Sequence, residues 1–290
     1  PKISLDSFGG MFLAACIAAR YSDLHVGWLL RTWMGVFLVE VGKNASGEVV
    51  DFDSGTALAI SEEERSPFSG GKRVLVDGLL DRRQAWWIAG TCFLSASVIG
   101  LVIVFLRDSR VLVFGLIGMA LAWYYHGGPL RLAYRGLGEL AVAIAYGPVI
   151  VLGTYFVQVG DLNPILVQLS IILGILVAAF LWINQFPDCR ADRDSGKRNL
   201  VVRLGPSRAA IVYVLLLVLA YLWLVWLVFA DTAASPLWPA FAGLFPAVFS
   251  AGRVLTYRGH IAALVPAQAA ALLGFLLVSA GAGLGYLLAA

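Results

Sequence analysis

The chain has 290 residues, of which 60% are hydrophobic and only 13% are charged, about half the charged fraction of an ordinary soluble domain. A net charge of +3 gives no indication of nucleic-acid binding. The cysteines, Cys16, Cys92 and Cys189, are odd in number and far apart, which suggests neither a disulfide framework nor a zinc site. The composition excludes a soluble domain and indicates a protein that crosses the lipid bilayer several times.

Nine apolar runs follow one another along the sequence, each about long enough to cross a hydrocarbon core of about 30 Å. Backbone in lipid must satisfy its own hydrogen bonds, and the runs are too long for barrel strands, so we expect helices. The predicted fold class is all-α, with nine transmembrane helices in one domain covering 1–290. The predicted spans are 4–22, 25–47, 84–106, 110–126, 138–159, 163–186, 207–230, 235–252 and 261–289.

Basic residues concentrate in alternate connections between these spans. Fifteen Lys and Arg residues follow the second, fourth, sixth and eighth spans, and only three lie in the other connections. Loops rich in Lys and Arg stay on the cytoplasmic side. We therefore predict an integral, multi-pass protein of the cell membrane whose N-terminus and four basic loops face the cytoplasm.

The second span ends in a polar stretch, "GKNASGEVVDFDSG", residues 42–55. Asn44, Glu48 and Asp51 are spaced four and three apart, so on a helix they share one face. The loop that follows carries a Gly-Gly turn beside two cations, Lys72 and Arg73.

The sixth span ends in a similar stretch, "NQFPDCRADRDSGKRNL", residues 184–200. Asn184, Asp188 and Asp192 are four apart and stack on one face if the helix continues through Pro187. Two carboxylates on adjacent turns repel unless a cation lies between them, and their oxygens suit magnesium. Lys197 and Arg198 follow Gly196 and could hold a phosphate.

The alternative for the second stretch is a solvated helix end, in which Arg190 and Arg193 neutralise the aspartates. The first stretch weakens that alternative, because two clusters of the same chemistry on the same predicted side of the membrane can form two halves of one site. Ionisable groups at membrane depth are costly and are usually functional.

At these residues the chain resembles the UbiA superfamily of intramembrane prenyltransferases, which have nine transmembrane helices and aspartate-rich motifs near the ends of helices two and six. The stretch "NQFPDCRADRDSGKRNLVVRLG" is similar to the second motif. "FSGGKRVL" and "YYHGGPLRLAYRGLGELAVAIAYGPVIVLGTYFVQ" resemble the branch that makes menaquinone and related naphthoquinones. The first motif departs from the pattern, with Gly47 where asparagine is usual and Ala57 where an aspartate is usual.

The resemblance implies a set of site residues and two Mg²⁺ ions. The implied catalytic residues are Asp51, Asp188, Asp192 and Tyr125. The implied metal ligands are Asn44, Glu48, Asp51, Asn184, Asp188 and Asp192. The implied diphosphate-binding residues are Lys72, Arg73, Arg131, Arg135, Lys197 and Arg198. For Tyr125 and the arginines of its loop, interfacial packing and positive-inside topology are alternative explanations.

The implied reaction is the Mg²⁺-dependent transfer of a prenyl group from an isoprenyl diphosphate to a hydrophobic or aromatic acceptor in quinone biosynthesis. It requires a dry central cavity in the bilayer beneath a cytoplasmic polar cap. Prenylation of a glycerol phosphate or a tetrapyrrole is an alternative, since the donor site would be the same. A transporter is an alternative from another class, although its charges would lie nearer the midplane.

The predicted orientation can be tested by cysteine labelling. After replacement of the native cysteines by serine, Glu62→Cys places a thiol in the long loop after the second span. Because this loop is predicted to be cytoplasmic, a membrane-impermeant maleimide should label it in inverted vesicles and leave it unlabelled in intact cells. Labelling of intact cells would reverse the assignment.

Overall fold

The computed structural model describes residues 3–61, 65–69, 73–230 and 232–289, and this part of the chain contains helices and no strand. Lys72 and position 62 lie outside the described residues. The helices are α1 (Ile3–Tyr21), α2 (Val26–Asp53), α3 (Thr56–Ala59), α4 (Arg82–Leu106), α5 (Val111–His126), α6 (Gly138–Ile144), α7 (Ile150–Val159), α8 (Pro164–Asp194), α9 (Leu200–Ala230), α10 (Leu244–Tyr257) and α11 (Ile261–Leu288).

Three shorter segments complete the path of the chain. A 3-10 turn, Leu132–Tyr134, lies between α5 and α6, and a π-helical turn, Ala145–Val149, joins α6 to α7. A 3-10 helix, Thr232–Gly243, precedes α10. The predicted fifth and eighth spans are therefore each composite, since proline interrupts regular helix in both, at Pro148 in one and at Pro236 and Pro239 in the other.

Among the described residues, six helical segments are long and apolar enough to cross a membrane: α4, Gly138–Val159, α8, α9, Ala234–Tyr257 and α11. This confirms the prediction of an all-α, multi-pass membrane protein. The three other predicted spans correspond to α1, α2 and α5, which fall short in length or apolar character. The count of nine transmembrane helices stays a prediction.

The helices that carry the two polar stretches are longer than the apolar runs that predicted them. The second span was expected to end at 47 and the sixth at 186, but α2 continues to Asp53 and α8 continues through Pro187 to Asp194. Hydropathy marks where lipid contact ends, whereas hydrogen bonding and packing decide where a helix ends. Both polar stretches are therefore helical, and the spacing argument for a shared face holds.

The main core lies around α8, which packs between the α6–α7 segment on one side and α9 on the other. Glycines allow the closest approach. A Cβ built on Gly174 of α8 would lie 2.5 Å from the Ala143 carbonyl oxygen of α6, and one on Gly147 would collide with the Ser170 carbonyl oxygen. Small residues of this kind let membrane helices pack backbone against backbone. The contact fixes α8, and with it the second polar stretch, relative to α6 and α7.

Gly174→Ala should destabilise the protein by about 1–3 kcal/mol, because the added methyl meets a backbone carbonyl that cannot rotate away. The matched control is Gly90→Ala, at an exposed position of α4 with nothing within 4 Å of the added carbon. That change should be neutral or slightly stabilising, since alanine favours helix over glycine. Thermal unfolding in detergent measures both, and equal melting temperatures for the two variants would contradict this packing.

Candidate active site

The ends of α2 and α8 meet at one lysine. The Nζ atom of Lys197 lies 3.8 Å from Asp51 Oδ1, on α2, and 3.5 Å from Asp192 Oδ1, on α8. The three side chains are largely removed from solvent, and that of Asp192 is only 3% exposed. Asn199 donates a 2.7 Å hydrogen bond to the other carboxylate oxygen of Asp192. The structure thus joins one aspartate from each predicted motif in a single charged cluster.

A left-handed glycine turns the chain back so that Lys197 reaches this cluster. Gly196 has φ +78°, a conformation that glycine adopts without steric cost. The turn lets the Lys197 amide donate to the Asp192 carbonyl at 2.8 Å, which closes the end of α8. Burial alone would lower the pKa of the Lys197 ammonium, but the two aspartates outweigh burial and raise that pKa well above its usual range.

Hydroxyl groups connect the same two helix ends through a second route. Tyr134 donates a 2.7 Å hydrogen bond to Asp51 Oδ1, and its oxygen lies 2.9 Å from the Ser54 hydroxyl. Ser54 pairs with Thr56 at 2.9 Å, and Thr56 donates to Ser195 at 2.8 Å. The chain of hydrogen bonds runs from the end of α2 through α3 to the end of α8.

Tyr134 stays protonated in this setting. Burial, followed by the nearby Asp51 carboxylate, raises the pKa of Tyr134 to about 12. Arg131 lies 4.7 Å from the centre of the Tyr134 ring and Lys197 lies 5.6 Å from it. The tyrosine is therefore a neutral donor to Asp51, held between two cations.

An apolar cavity of about 350 Å³ lies within the membrane-spanning part, between α2, α4, α5 and the α6–α7 segment. Thr32 and Lys43 line it on α2, and they are eleven positions apart, which corresponds to about 17 Å of helix at 1.5 Å per residue. Its polar end carries Glu40, Lys43, Tyr125 and Tyr146, and the remaining lining is mainly aliphatic or glycine.

Tyr125 stands where the charged cluster meets the cavity. It is 9% exposed and lines the cavity. The Lys43 ammonium lies 5.1 Å from the centre of its ring, and its hydroxyl interacts electrostatically with Lys197, Asp51 and Asp192. A tyrosine here can contact both an anion held by the cluster and an apolar group in the cavity.

The other predicted site residues lie at varied distances from the cluster. Asn44 and Glu48 are half-buried on α2, and the Val74 amide donates to Glu48 Oε1 at 2.7 Å. Asp188 is half-buried on α8, one turn before Asp192. Arg73 pairs with Asp77 at 3.2 Å.

The remaining arginines are exposed. The carbonyl oxygen of Arg135 accepts a hydrogen bond from the Arg203 guanidinium. The Arg198 amide donates to the Tyr134 carbonyl at 3.0 Å. Asp53, two residues after Asp51, forms a 2.7 Å ion pair with Arg82. The structure therefore brings together Asp51, Asp192, Lys197, Tyr125 and Arg131, and leaves Arg73, Arg135 and Arg198 at the surface or in loop contacts.

The chemistry of these side chains fits magnesium, although no group of three or more His, Cys, Asp or Glu residues in the described ranges is drawn together as a ready-made metal site. The donors are carboxylate and amide oxygens, which magnesium prefers. Asn184 Oδ1, below Asp188 on the same face of α8, is buried without a hydrogen-bond partner among the described residues. Buried polar atoms are normally paired, so this oxygen is available to a ligand.

The unusual Gly47 has a structural explanation. A Cβ at this position would collide with the imidazole ring of His126, at the end of α5. His126 Nδ1 is itself buried and without a hydrogen-bond partner among the described residues. The imidazole thus occupies the space that the usual asparagine side chain would need, and the two residues form a matched pair.

Sequence reasoning missed two buried acids near the cavity, Asp6 on α1 and Glu40 on α2, which are 4% and 6% exposed. Both lie inside apolar runs. Their presence there was a usable signal, because an ionisable residue within a membrane-spanning segment normally has a function.

The sequence of this chain is similar to those of known prenyltransferases. The sequence profile of the UbiA prenyltransferase family matches residues 9–264. The 1,4-dihydroxy-2-naphthoate octaprenyltransferase of Bacillus subtilis (strain 168) is 28% identical over 236 residues, covering 81% of this chain and 73% of the relative.

Solved structures share the fold. The apo structure of a UbiA homologue from Aeropyrum pernix K1 matches with a TM-score of 0.67 and 19% identity over 96% of each chain. A UbiA homologue from Archaeoglobus fulgidus, bound to GPP and Mg²⁺, matches with a TM-score of 0.53 and 18% identity over 93% of this chain and 99% of that chain.

Fold and site together define a multi-pass helical membrane protein with a charged cluster above an apolar cavity. The chain belongs to the UbiA prenyltransferase family. This confirms the resemblance drawn from the two polar stretches, and it decides between an enzyme and a transporter in favour of the enzyme.

The pairing of Gly47 with His126 can be tested by a double-mutant cycle. Gly47→Asn should destabilise the protein by about 1–3 kcal/mol, because the new side chain meets the imidazole. His126→Ala should relieve that collision, so the double variant should be more stable than the two separate losses predict. Thermal unfolding of the four proteins measures the coupling, and strictly additive losses would show that His126 does not explain Gly47.

Proposed function

We propose that this protein transfers a prenyl group from an isoprenyl diphosphate to an aromatic acceptor, in a Mg²⁺-dependent reaction of quinone biosynthesis. The observation that carries the proposal is the meeting of Asp51 and Asp192 at Lys197, directly beside an apolar cavity. Such an arrangement suits a substrate with an anionic head and a long apolar tail.

The residues for the head group come from both helix ends. Asn44, Glu48 and Asp51 on α2, with Asn184, Asp188 and Asp192 on α8, would hold two Mg²⁺ ions. When bound, the metal neutralises the diphosphate and stabilises the charge that develops as its bond to the prenyl carbon breaks. The Archaeoglobus fulgidus homologue, with GPP and Mg²⁺ bound, supports this use of the fold.

The chain supplies further cations for the diphosphate. Lys197 lies between the two aspartates, and its ammonium could donate to a phosphate oxygen of a bound diphosphate. Arg131 stands over Tyr134 at the edge of the cluster and can contribute a second positive charge. Lys72, Arg73, Arg135 and Arg198 belong to the same proposed set.

The cavity serves the prenyl tail and the reacting carbon. Its aliphatic lining excludes water, which would otherwise capture an allylic cation. The faces of Tyr125 and Tyr146 can stabilise positive charge on that carbon. Tyr125 lies at the junction with the charged cluster, where the bond between diphosphate and prenyl carbon would be placed.

The proposed acceptor is a naphthoate-type ring, which is the acceptor named for the Bacillus subtilis relative. The proposal includes the predicted topology, with nine transmembrane helices forming a single domain and the charged cluster under a cytoplasmic cap.

Membranes containing the protein should move label from geranylgeranyl diphosphate to 1,4-dihydroxy-2-naphthoate when Mg²⁺ is added, and should not do so in EDTA. Glycerol 1-phosphate and a tetrapyrrole serve as competing acceptors. Label on either of these and none on the naphthoate would overturn the acceptor, and absence of transfer to any of them would overturn the proposed reaction.

Asp51→Asn and Asp192→Asn should each lower turnover by more than about 100-fold, because loss of even an outer-sphere partner of a metal site costs about 10–100-fold. Asp194→Asn is the matched control, since this aspartate is on the same helix end but is half exposed and pairs with Arg190. It should keep near wild-type turnover. Melting temperatures confirm folding, and full activity in both cluster variants would exclude a shared metal site.

A further inference from the structure

Two acids are buried side by side where α1 packs against α2. Asp6 is 4% exposed and Glu40 is 6% exposed. The Ser7 hydroxyl donates a 2.7 Å hydrogen bond to Glu40 Oε1. Asp6 Oδ1 and Glu40 Oε2 are fully buried and have no hydrogen-bond partner among the described residues. We call Asp6 and Glu40 the acidic pair.

Glu40 of the acidic pair lies at the polar end of the apolar cavity. Glu40 lines that cavity, and its carboxylate interacts with the Tyr146 hydroxyl. Lys43 is one turn further along α2, with its ammonium 5.1 Å from the centre of the Tyr125 ring and 5.8 Å from that of Tyr146. This end of the cavity therefore offers carboxylate oxygens, one ammonium and two aromatic faces.

A purely structural role does not account for the acidic pair. Removing an acid from water costs several kcal/mol unless its oxygens are paired, and buried polar atoms are paired in the great majority of cases. Among the described residues, Lys43 is the cation that acts on both acids, and one oxygen of each acid has no hydrogen-bond partner there. Oxygens left in this state beside a cavity are suited to a ligand that brings its own hydrogen-bond donors.

The charge and the lining of the cavity restrict the chemical class of that ligand. Two acids disfavour the diphosphate, which is an anion, and the aliphatic remainder of the cavity already suits the prenyl tail. The ligand needs a donor group and a flat apolar body that can lie against Tyr125 and Tyr146, which is the description of a hydroxylated aromatic ring. Glu40 and Asp51 are eleven positions apart on α2, about 17 Å along the axis. This leaves room for a diphosphate and one ring between them.

We propose that the acidic pair is the binding site for a ring hydroxyl of the aromatic acceptor. Glu40 accepts the hydrogen bond from that hydroxyl, Ser7 orients Glu40, and the tyrosine rings pack on the acceptor. Lys43 balances the charge of the acids and can pair with a carboxylate on the same ring. This inference rests on the proposed function, because it assigns the acceptor end of the same site.

The test compares a probe that can donate hydrogen bonds from its ring hydroxyls, 1,4-dihydroxy-2-naphthoate, with its 1,4-dimethoxy analogue, which cannot. Equilibrium binding is measured in detergent without any prenyl donor. Wild-type protein should bind the dihydroxy compound more tightly. Glu40→Gln should weaken that binding by about 10–100-fold, the usual range for a hydrogen bond to a charged group. It should leave binding of the dimethoxy compound, and the Kd for geranylgeranyl diphosphate with Mg²⁺, within about twofold of wild type.

Asp108→Asn is the matched control, because it makes the same acid-to-amide change in a loop ion pair with Arg110, away from the cavity. It should bind both probes as wild type does. Unchanged binding of the dihydroxy compound by Glu40→Gln would overturn the assignment. If that variant does not fold, Ser7→Ala removes the bond that orients Glu40 without changing either acid. It should weaken binding of the dihydroxy compound selectively, and equal affinity to wild type would again overturn the assignment.

This binding assay separates the inference from the proposed function. Wild-type protein that binds the dihydroxy probe through Glu40 but transfers no label to it would refute the proposed reaction and leave the assignment of the acidic pair standing. If the wild-type protein transfers label and probe binding does not depend on Glu40, the proposed reaction stands and the assignment of the acidic pair is refuted.

Discussion

The arrangement of the whole site depends on one lysine between two carboxylates from different helices. Asp51 lies in the last turn of α2 and Asp192 in the last turn of α8. These two acids would repel each other without a cation between them. At about 4 Å, two unit charges interact by roughly 4 kcal/mol near a protein surface. Lys197 supplies the cation, and the hydroxyl chain from Tyr134 to Ser195 keeps the helix ends in register. The cluster is therefore held together by side chains of the protein itself.

The site has a polar region, the charged cluster, and an apolar region, the cavity. The charged cluster lies at the helix ends, whereas Glu40 and Lys43 line the polar end of the cavity. Tyr125 joins the two regions, since it borders the cavity and interacts with the charged groups. A substrate with a diphosphate head and an apolar tail would place its reacting bond at this junction. The close packing of Gly147 and Gly174 keeps α8 fixed against the cavity wall.

The two polar motifs and their helical faces could be predicted from residue spacing. The intervals between Asn44, Glu48 and Asp51, and between Asn184, Asp188 and Asp192, indicate one helical face in each motif, and both stretches are helical in the structure. Apolar runs located the helices but misplaced their ends. Contacts between distant segments were beyond reach, because spacing along one helix does not say what faces it from another.

Three such contacts shape the site. Lys197 returns to Asp192 through a turn at Gly196, the His126 ring fills the space beside Gly47, and Asp6 meets Glu40 across α1 and α2. The role of Arg73, by contrast, could only be proposed from sequence, and in the structure its guanidinium is paired with Asp77.

The central claim, that the two motifs form one site, is tested most directly by binding of an unreactive donor, geranylgeranyl thiodiphosphate, with Mg²⁺. Its Kd is measured for wild type, Asp51→Asn, Asp192→Asn and the double variant. If both aspartates serve one bound head group, either single change should remove most of the metal-dependent affinity, and the double variant should be within about threefold of the weaker single variant, because residues in one network are not additive. Losses of affinity that multiply in the double variant would show two independent sites and contradict the claim.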